Sequence, residues 1–105
     1  MTTTYRDEII NGRVERVIDK DPQEVLVYTV DWDTDDWLGT DALASSQFTV
    51  DTGLTKDAEN FSSPNALVQL SGGTLGQRYR VTNKVTTVTS GETGVRSFIV
   101  NVVRR

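Results

Sequence analysis

The sequence predicts an all-β fold, an immunoglobulin-like antiparallel β-sandwich preceded by an extended N-terminal arm. Three observations carry this. Ser71-Gly72-Gly73-Thr74-Leu75-Gly76 is a glycine-rich corner that runs straight into an alternating stretch: Tyr79, Val81 and Val85 share one parity, and Arg78, Arg80, Thr82, Lys84 and Thr86 share the other. Period-2 alternation puts one face of a strand against a core and the other in water. A tyrosine just past a Leu-Gly corner is a device of such sandwiches, its hydroxyl tying the corner to the next strand. No heptad and no helix-length apolar period occurs anywhere in the 105 residues.

The elements follow in order. Residues 1–22 form the arm, and 23–105 the sandwich. In the arm, Thr2-Thr3-Thr4 is polar. Ile9 and Ile10 then lead through Asn11-Gly12 to Val14, Val17 and Ile18, and Asp21-Pro22 closes the segment. Asn-Gly between short apolar patches signals a hairpin, because both residues tolerate positive φ. Two arrangements stay open. The arm either folds back as an edge strand on its own domain or buries Ile9, Ile10, Val14, Val17 and Ile18 on a neighbouring subunit.

Glu24–Trp32 is a strand with Leu26, Tyr28, Val30 and Trp32 on one face. Val25 and Val27 make the other face apolar as well, which predicts a central strand. Asp33–Asp41 is a loop. Ala42–Val50 is a strand with Ser46, Phe48 and Val50 inward, and Asp51-Thr52-Gly53 is a turn. Leu54-Thr55 is a short strand at most, and polar Asp57–Asn65, with Pro64, is a loop. Ala66–Leu70 is a strand with Val68 and Leu70 inward. The corner and the long strand reach about Val88, Ser90–Gly94 is a hairpin loop, and Val95–Val103 ends the fold with Phe98, Val100 and Val102 dry.

Composition narrows function. Histidine and cysteine are both absent, which removes the usual neutral-pH general base, imidazole and thiolate metal ligands, disulfides, and histidine-activated nucleophiles. Met1–Tyr5 has no secretory leader pattern. No 18-residue apolar run predicts a membrane span. The net charge of -4 hides an asymmetry. Residues 1–76 hold five Lys/Arg and fourteen Asp/Glu, whereas residues 77–105 hold six and one. Such a dipolar chain suits neighbours that meet opposite charge. The basic residues alternate with valine and threonine rather than stacking aromatics, so no nucleic-acid partner is expected.

Three groups are candidate sites. Asp31, Asp33, Asp35 and Asp36, with Asp41 nearby, could gather oxygen ligands for calcium. The helix–loop–helix pattern fails, however, since its glycine and glutamate positions fall on Asp36 and Ala42. Trp32 is expected in the core, and Trp37 either caps the sandwich end or serves as a contact anchor. Arg78, Arg80 and Lys84 form an outward basic ladder, to be neutralised by a neighbouring strand or by an acidic partner. The glycines of the corner serve turn geometry, with no Gly-Lys-Ser/Thr ending or following helix to hold a phosphate.

Taken in order, several runs resemble one family. They are Ile9-Ile10-Asn11-Gly12-Arg13, Lys20-Asp21-Pro22, Glu24-Val25-Leu26, Tyr28-Thr29-Val30-Asp31-Trp32, Trp37-Leu38-Gly39-Thr40-Asp41, Leu70–Thr74, Gly76–Asn83 and Arg96-Ser97-Phe98. The chain resembles the phage fiber-tail adaptor proteins, small virion proteins of tailed bacteriophages, from about Ile9 to Arg104. The resemblance implies a non-enzymatic structural protein of the virion, assembled in the host cytoplasm. It implies no cofactor, and partners among tail, fiber, portal or capsid proteins, met in multiple copies. The alternatives are a capsid decoration protein and a carbohydrate- or calcium-binding sandwich module.

Overall fold

A computed structural model describes residues 5–10, 12–33 and 37–104, and among these it forms eight strands and no helix. They are β1 (Tyr5–Ile10), β2 (Arg13–Lys20), β3 (Leu26–Asp31), β4 (Leu43–Val50), β5 (Leu54–Ser62), β6 (Asn65–Gly72), β7 (Arg78–Thr87) and β8 (Thr93–Val102). Two sheets stack as a sandwich. One has the order β1-β2-β8-β7-β4, the other β3-β6-β5.

The dry parities predicted from alternation face one another across the core. Leu26, Tyr28, Val30 and Trp32 oppose Phe48, Val81, Val85, Phe98, Val100 and Val102, all buried. Tyr28 and Phe98 stack with ring centroids 5.6 Å apart and tilted, the geometry that aromatic quadrupoles favour. At the corner, Tyr79 Oη accepts the Thr74 N–H at 2.9 Å, which is the tie expected there.

Residues 5–20 fold back on the chain's own sheet. β1 and β2 pair antiparallel about the turn at Gly12, whose φ of 78° is a conformation glycine adopts without a Cβ clash. β2 then pairs with β8 in parallel, from Val17↔Ile99 to Lys20↔Val102. The sheet is therefore mixed rather than antiparallel throughout. Local alternation carries no information about strand direction, and a parallel neighbour so distant in sequence leaves no turn signal.

Two further expectations are corrected. β3 is an edge strand, and β6 is central in its sheet. The apolar outer residues Val25 and Val27 are about half exposed, so they do not mark burial on both faces. Residues 54–62 are a full strand, not a short strand followed by a loop. β5 is an edge whose only buried position is Leu54, so its polar sequence shows no alternation. Pro64 sits in the two-residue turn between Ser62 and Asn65, joined to Ser63 by a cis peptide, where its missing N–H costs no ladder bond.

Polar side chains bolt the two sheets together near opposite ends. Trp32 Nε1 donates to Asn83 Oδ1 at 2.7 Å, and the Asn83 amide donates to Ser46 Oγ and the Gln47 carbonyl. At the other end Lys20 is fully buried and donates to the Gly72 carbonyl at 2.7 Å and the Asp21 carbonyl at 2.9 Å. Burial lowers the pKa of its ammonium, against the opposing pull of Glu24, Asp21 and Asp57.

Candidate interaction surfaces

The outward basic ladder is the clearest case of a sequence feature whose partner only the fold reveals. Arg80 lies on β7 and Glu15 on β2, with β8 between them. The guanidinium spans that strand, its Nη1 and Nη2 donating to the two Glu15 oxygens at 3.2 and 3.3 Å, and Nη1 also to Ser97 Oγ at 2.8 Å. Glu15 is almost wholly buried under this fork. Arg78 donates to Glu8 Oε1 at 3.3 Å. Beneath these long side chains lie Val17 and Ile99, buried although they point away from the core. The acidic arm and the basic C-terminal strands thus meet within one sheet, as opposed charges on a shared face do. Arg78 and Arg80 are engaged within the chain. Lys84 is exposed and has no ion pair among the described residues.

The arm residues separate into two sets. Val17 and Ile18 are buried in the chain's own sheet. Ile9 and Val14 stand opposite each other across the β1–β2 ladder, 77% and 70% exposed. Pairing with β8 begins only at Val17, so the tip half of the hairpin runs beyond it. Val14 shares its face with the core residue Ile18. Arg16 stands between them on that face, so Ile9 and Val14 form a bare apolar pair at the tip, set apart from the packed interior. The side chain of Ile10 lies outside the described residues.

At the Trp end, Trp37 folds onto Trp32, ring centroids 5.1 Å apart, and is partly buried against the core. It caps the sandwich. The Arg96 guanidinium lies over the Trp32 ring, 4.4 Å from its centroid, while Nη1 donates to the Asp31 carbonyl at 2.8 Å. Gly94 makes room for this stack, since a Cβ there would stand 2.7 Å from Trp32 and 2.8 Å from Trp37. Sequence reasoning assigned this glycine to a turn. Its strand position opposite Val85 is what reveals the packing role.

Asp41 holds the Trp37 loop in place. Its carboxylate accepts the backbone N–H groups of Ala42, Thr89 and Ser90 at 2.8 to 3.0 Å and the Ser90 hydroxyl at 3.1 Å, tying residues 37–41 to the β7–β8 loop. The Thr89 and Ser90 amides, then that of Ala42, hold this carboxyl well below the usual carboxylate range. A carboxyl with a depressed native pKa contributes stability that is complete above its unfolded value, about 4, and is lost as pH falls toward the native value. Asp41→Asn is therefore expected to lower the melting temperature above about pH 5, with the gap to wild type closing below about pH 4. Thermal melts of both proteins across that range check this, and a gap independent of pH would refute it.

Of the aspartate cluster, Asp31, Asp33 and Asp41 lie among the described residues. Asp31 Oδ1 accepts the Asp33 N–H at 2.9 Å, an ordinary turn bond, and Asp33 is exposed. No group of three His, Cys, Asp or Glu side chains that could hold a metal occurs among the described residues. Asp35 and Asp36 lie outside them.

Comparison with known proteins places the chain. A search of curated proteins finds no match. A family model described as "Podophage GP4 fiber-tail adaptor protein gp77" matches residues 20–101. The matched stretch is narrower than the resemblance from Ile9 onward. It begins at Lys20, the last residue of β2, and so takes in both sheets of the sandwich but not the β1–β2 hairpin. With more than three quarters of its length matched, including both inter-sheet bolts, the chain belongs to the phage fiber-tail adaptor family.

Proposed function

We propose that this protein is a non-enzymatic adaptor of a tailed-phage virion, joining fibers or tail parts to the tail assembly through protein–protein contacts. Family membership carries this reading. The surfaces support it. The polar clusters described above go into fastening loops and sheets, and no catalytic arrangement of acid, base and nucleophile is formed among them. The bare Ile9–Val14 pair at the hairpin tip is the docking element, with Trp37 holding the adjacent end of the sandwich rigid. Copies arranged by the symmetry of the particle sum weak contacts through effective concentration.

The test uses Ile9→Asp and Val14→Asp. Both positions are largely solvated, so each substitution is expected to change stability by no more than about 0.5 kcal/mol. Each should sharply reduce incorporation of the protein into assembling particles. Normal incorporation of both variants would remove the hairpin from the docking role. Gold labelling of intact particles checks the adaptor reading itself, since label confined to the head surface would point to capsid decoration instead.

A further inference from the structure

The outer face of the three-stranded sheet differs from the rest of the surface. Two central cross-strand rows, Val27–Gln69–Ala58 and Thr29–Leu67–Asn60, are flanked at the end of β3 by the row Asp31–Asn65–Ser62. None of the six residues in the two central rows is charged, in a chain that is 25% charged. The outer face of the other sheet carries Arg78, Arg80, Glu8 and Glu15. Ala58 lacks bulk between its neighbours, so a shallow groove opens here, with Val27, Leu67 and Gln69 on its walls. Glu59 stands at the rim, ion-paired with Lys56. Val27, 48% exposed, and Val25, 54% exposed, rise beside the groove.

We infer that this face is a contact between two copies of the chain, packed sheet on sheet about a two-fold axis. Three arguments select a second copy. A partner charge buried here would find no counter-charge and would lose its hydration, so the occupant must be uncharged where it touches. The two central rows satisfy that requirement themselves, and within them no like charges oppose each other when the face meets its own copy. An isologous contact also needs a bump and a hollow on the same patch, and the valine ridge lies beside the Ala58 groove.

Size then sets the strength. Three strands by six residues span about 14 by 20 Å, roughly 300 Å² per copy, against roughly 800 Å² per partner in a standard stable interface. The contact is therefore weak in free solution, with a dissociation constant on the order of 0.1–1 mM, and becomes effective where copies are held side by side. This goes beyond the adaptor reading and does not depend on which virion part the protein joins.

Backbone amide spectra of the purified full chain, recorded from about 20 μM to about 2 mM, test it across that affinity range. The amides of Val27, Ala58, Leu67 and Gln69 should shift along one dimerisation isotherm. Those of Thr82 and Ser97, on the opposite outer face, should not. Val27→Lys places like charges across the axis and should abolish the shift. Asn60→Asp keeps the oxygen that accepts the Phe61 N–H while adding charge, and should weaken it. Invariant spectra over the whole range, shifts mapping to another surface, or a shift surviving both substitutions would each overturn the two-fold contact. Particles are not involved, so failure here leaves the adaptor reading standing.

Discussion

Trp32→Ala should cost about 3–5 kcal/mol, a large part of the roughly 5–15 kcal/mol that holds a domain of this size together. Trp32 is 1% exposed. Its removal opens a cavity in the core, takes the floor from under Trp37, and deprives Asn83 of the indole N–H that it accepts at 2.7 Å. Asn83 is fully buried, so its carbonyl oxygen would be left without that donor in a low-dielectric interior, adding a penalty to the lost packing. Urea titration should show a lower midpoint with an unchanged slope, the mark of lost stability rather than altered unfolding. Trp32→Phe separates the two contributions. It keeps most of the ring's apolar burial but no donor, and should lose about 1–3 kcal/mol. If Phe proved as costly as Ala, packing would not be the larger part.

Removing residues 1–20 is the second large effect. The sequence reads this segment as an arm outside the sandwich, yet Val17 and Ile18 are buried and Lys20 anchors the Gly72 carbonyl. Loss of the two apolar side chains forfeits about 3–6 kcal/mol of burial. The deletion also uncovers Ile99 and leaves Arg80 without its bidentate partner. The truncated chain should be largely unfolded, or should melt tens of degrees lower, since about 1 kcal/mol moves the melting point of a 100-residue domain by 4–8 °C. Circular dichroism melts decide this. A truncated protein that melts with wild type would mean that the parallel β2–β8 pairing does not support the fold. The deletion consequently cannot serve as a test of docking, which is why the point substitutions at Ile9 and Val14 carry that test.

Much of the candidate surface was legible in residue patterns, but not its wiring. Arg78, Arg80 and Lys84 announce an outward face by parity. Nothing in their neighbourhood announces that Glu8 and Glu15, more than sixty positions earlier, neutralise two of them. Asn83 takes a dry position between Val81 and Val85 that the sequence reading passed over, and a polar group there must find a buried partner. The partner, Trp32, is on the other sheet. Lys20 poses the same problem at the parity of Ile18. β5 was missed because an edge strand with one buried position, Leu54, has no alternation to detect, whereas β7 was evident because one face is wholly dry.

By itself the sequence determined the class of structure, the inward faces of β3, β4, β6, β7 and β8, the Asn-Gly hairpin, the tyrosine tie at the corner and the family. These depend on period, turn chemistry and residue type, all of which act over a few neighbours along the chain. Tertiary structure alone decided that β2 joins β8 in parallel, that β3 is an edge, which carboxylates meet which guanidiniums, and that Gly94 yields its space to two tryptophans. Such pairings are chosen by burial and charge between segments far apart in the chain, and local propensity has no access to distance through space.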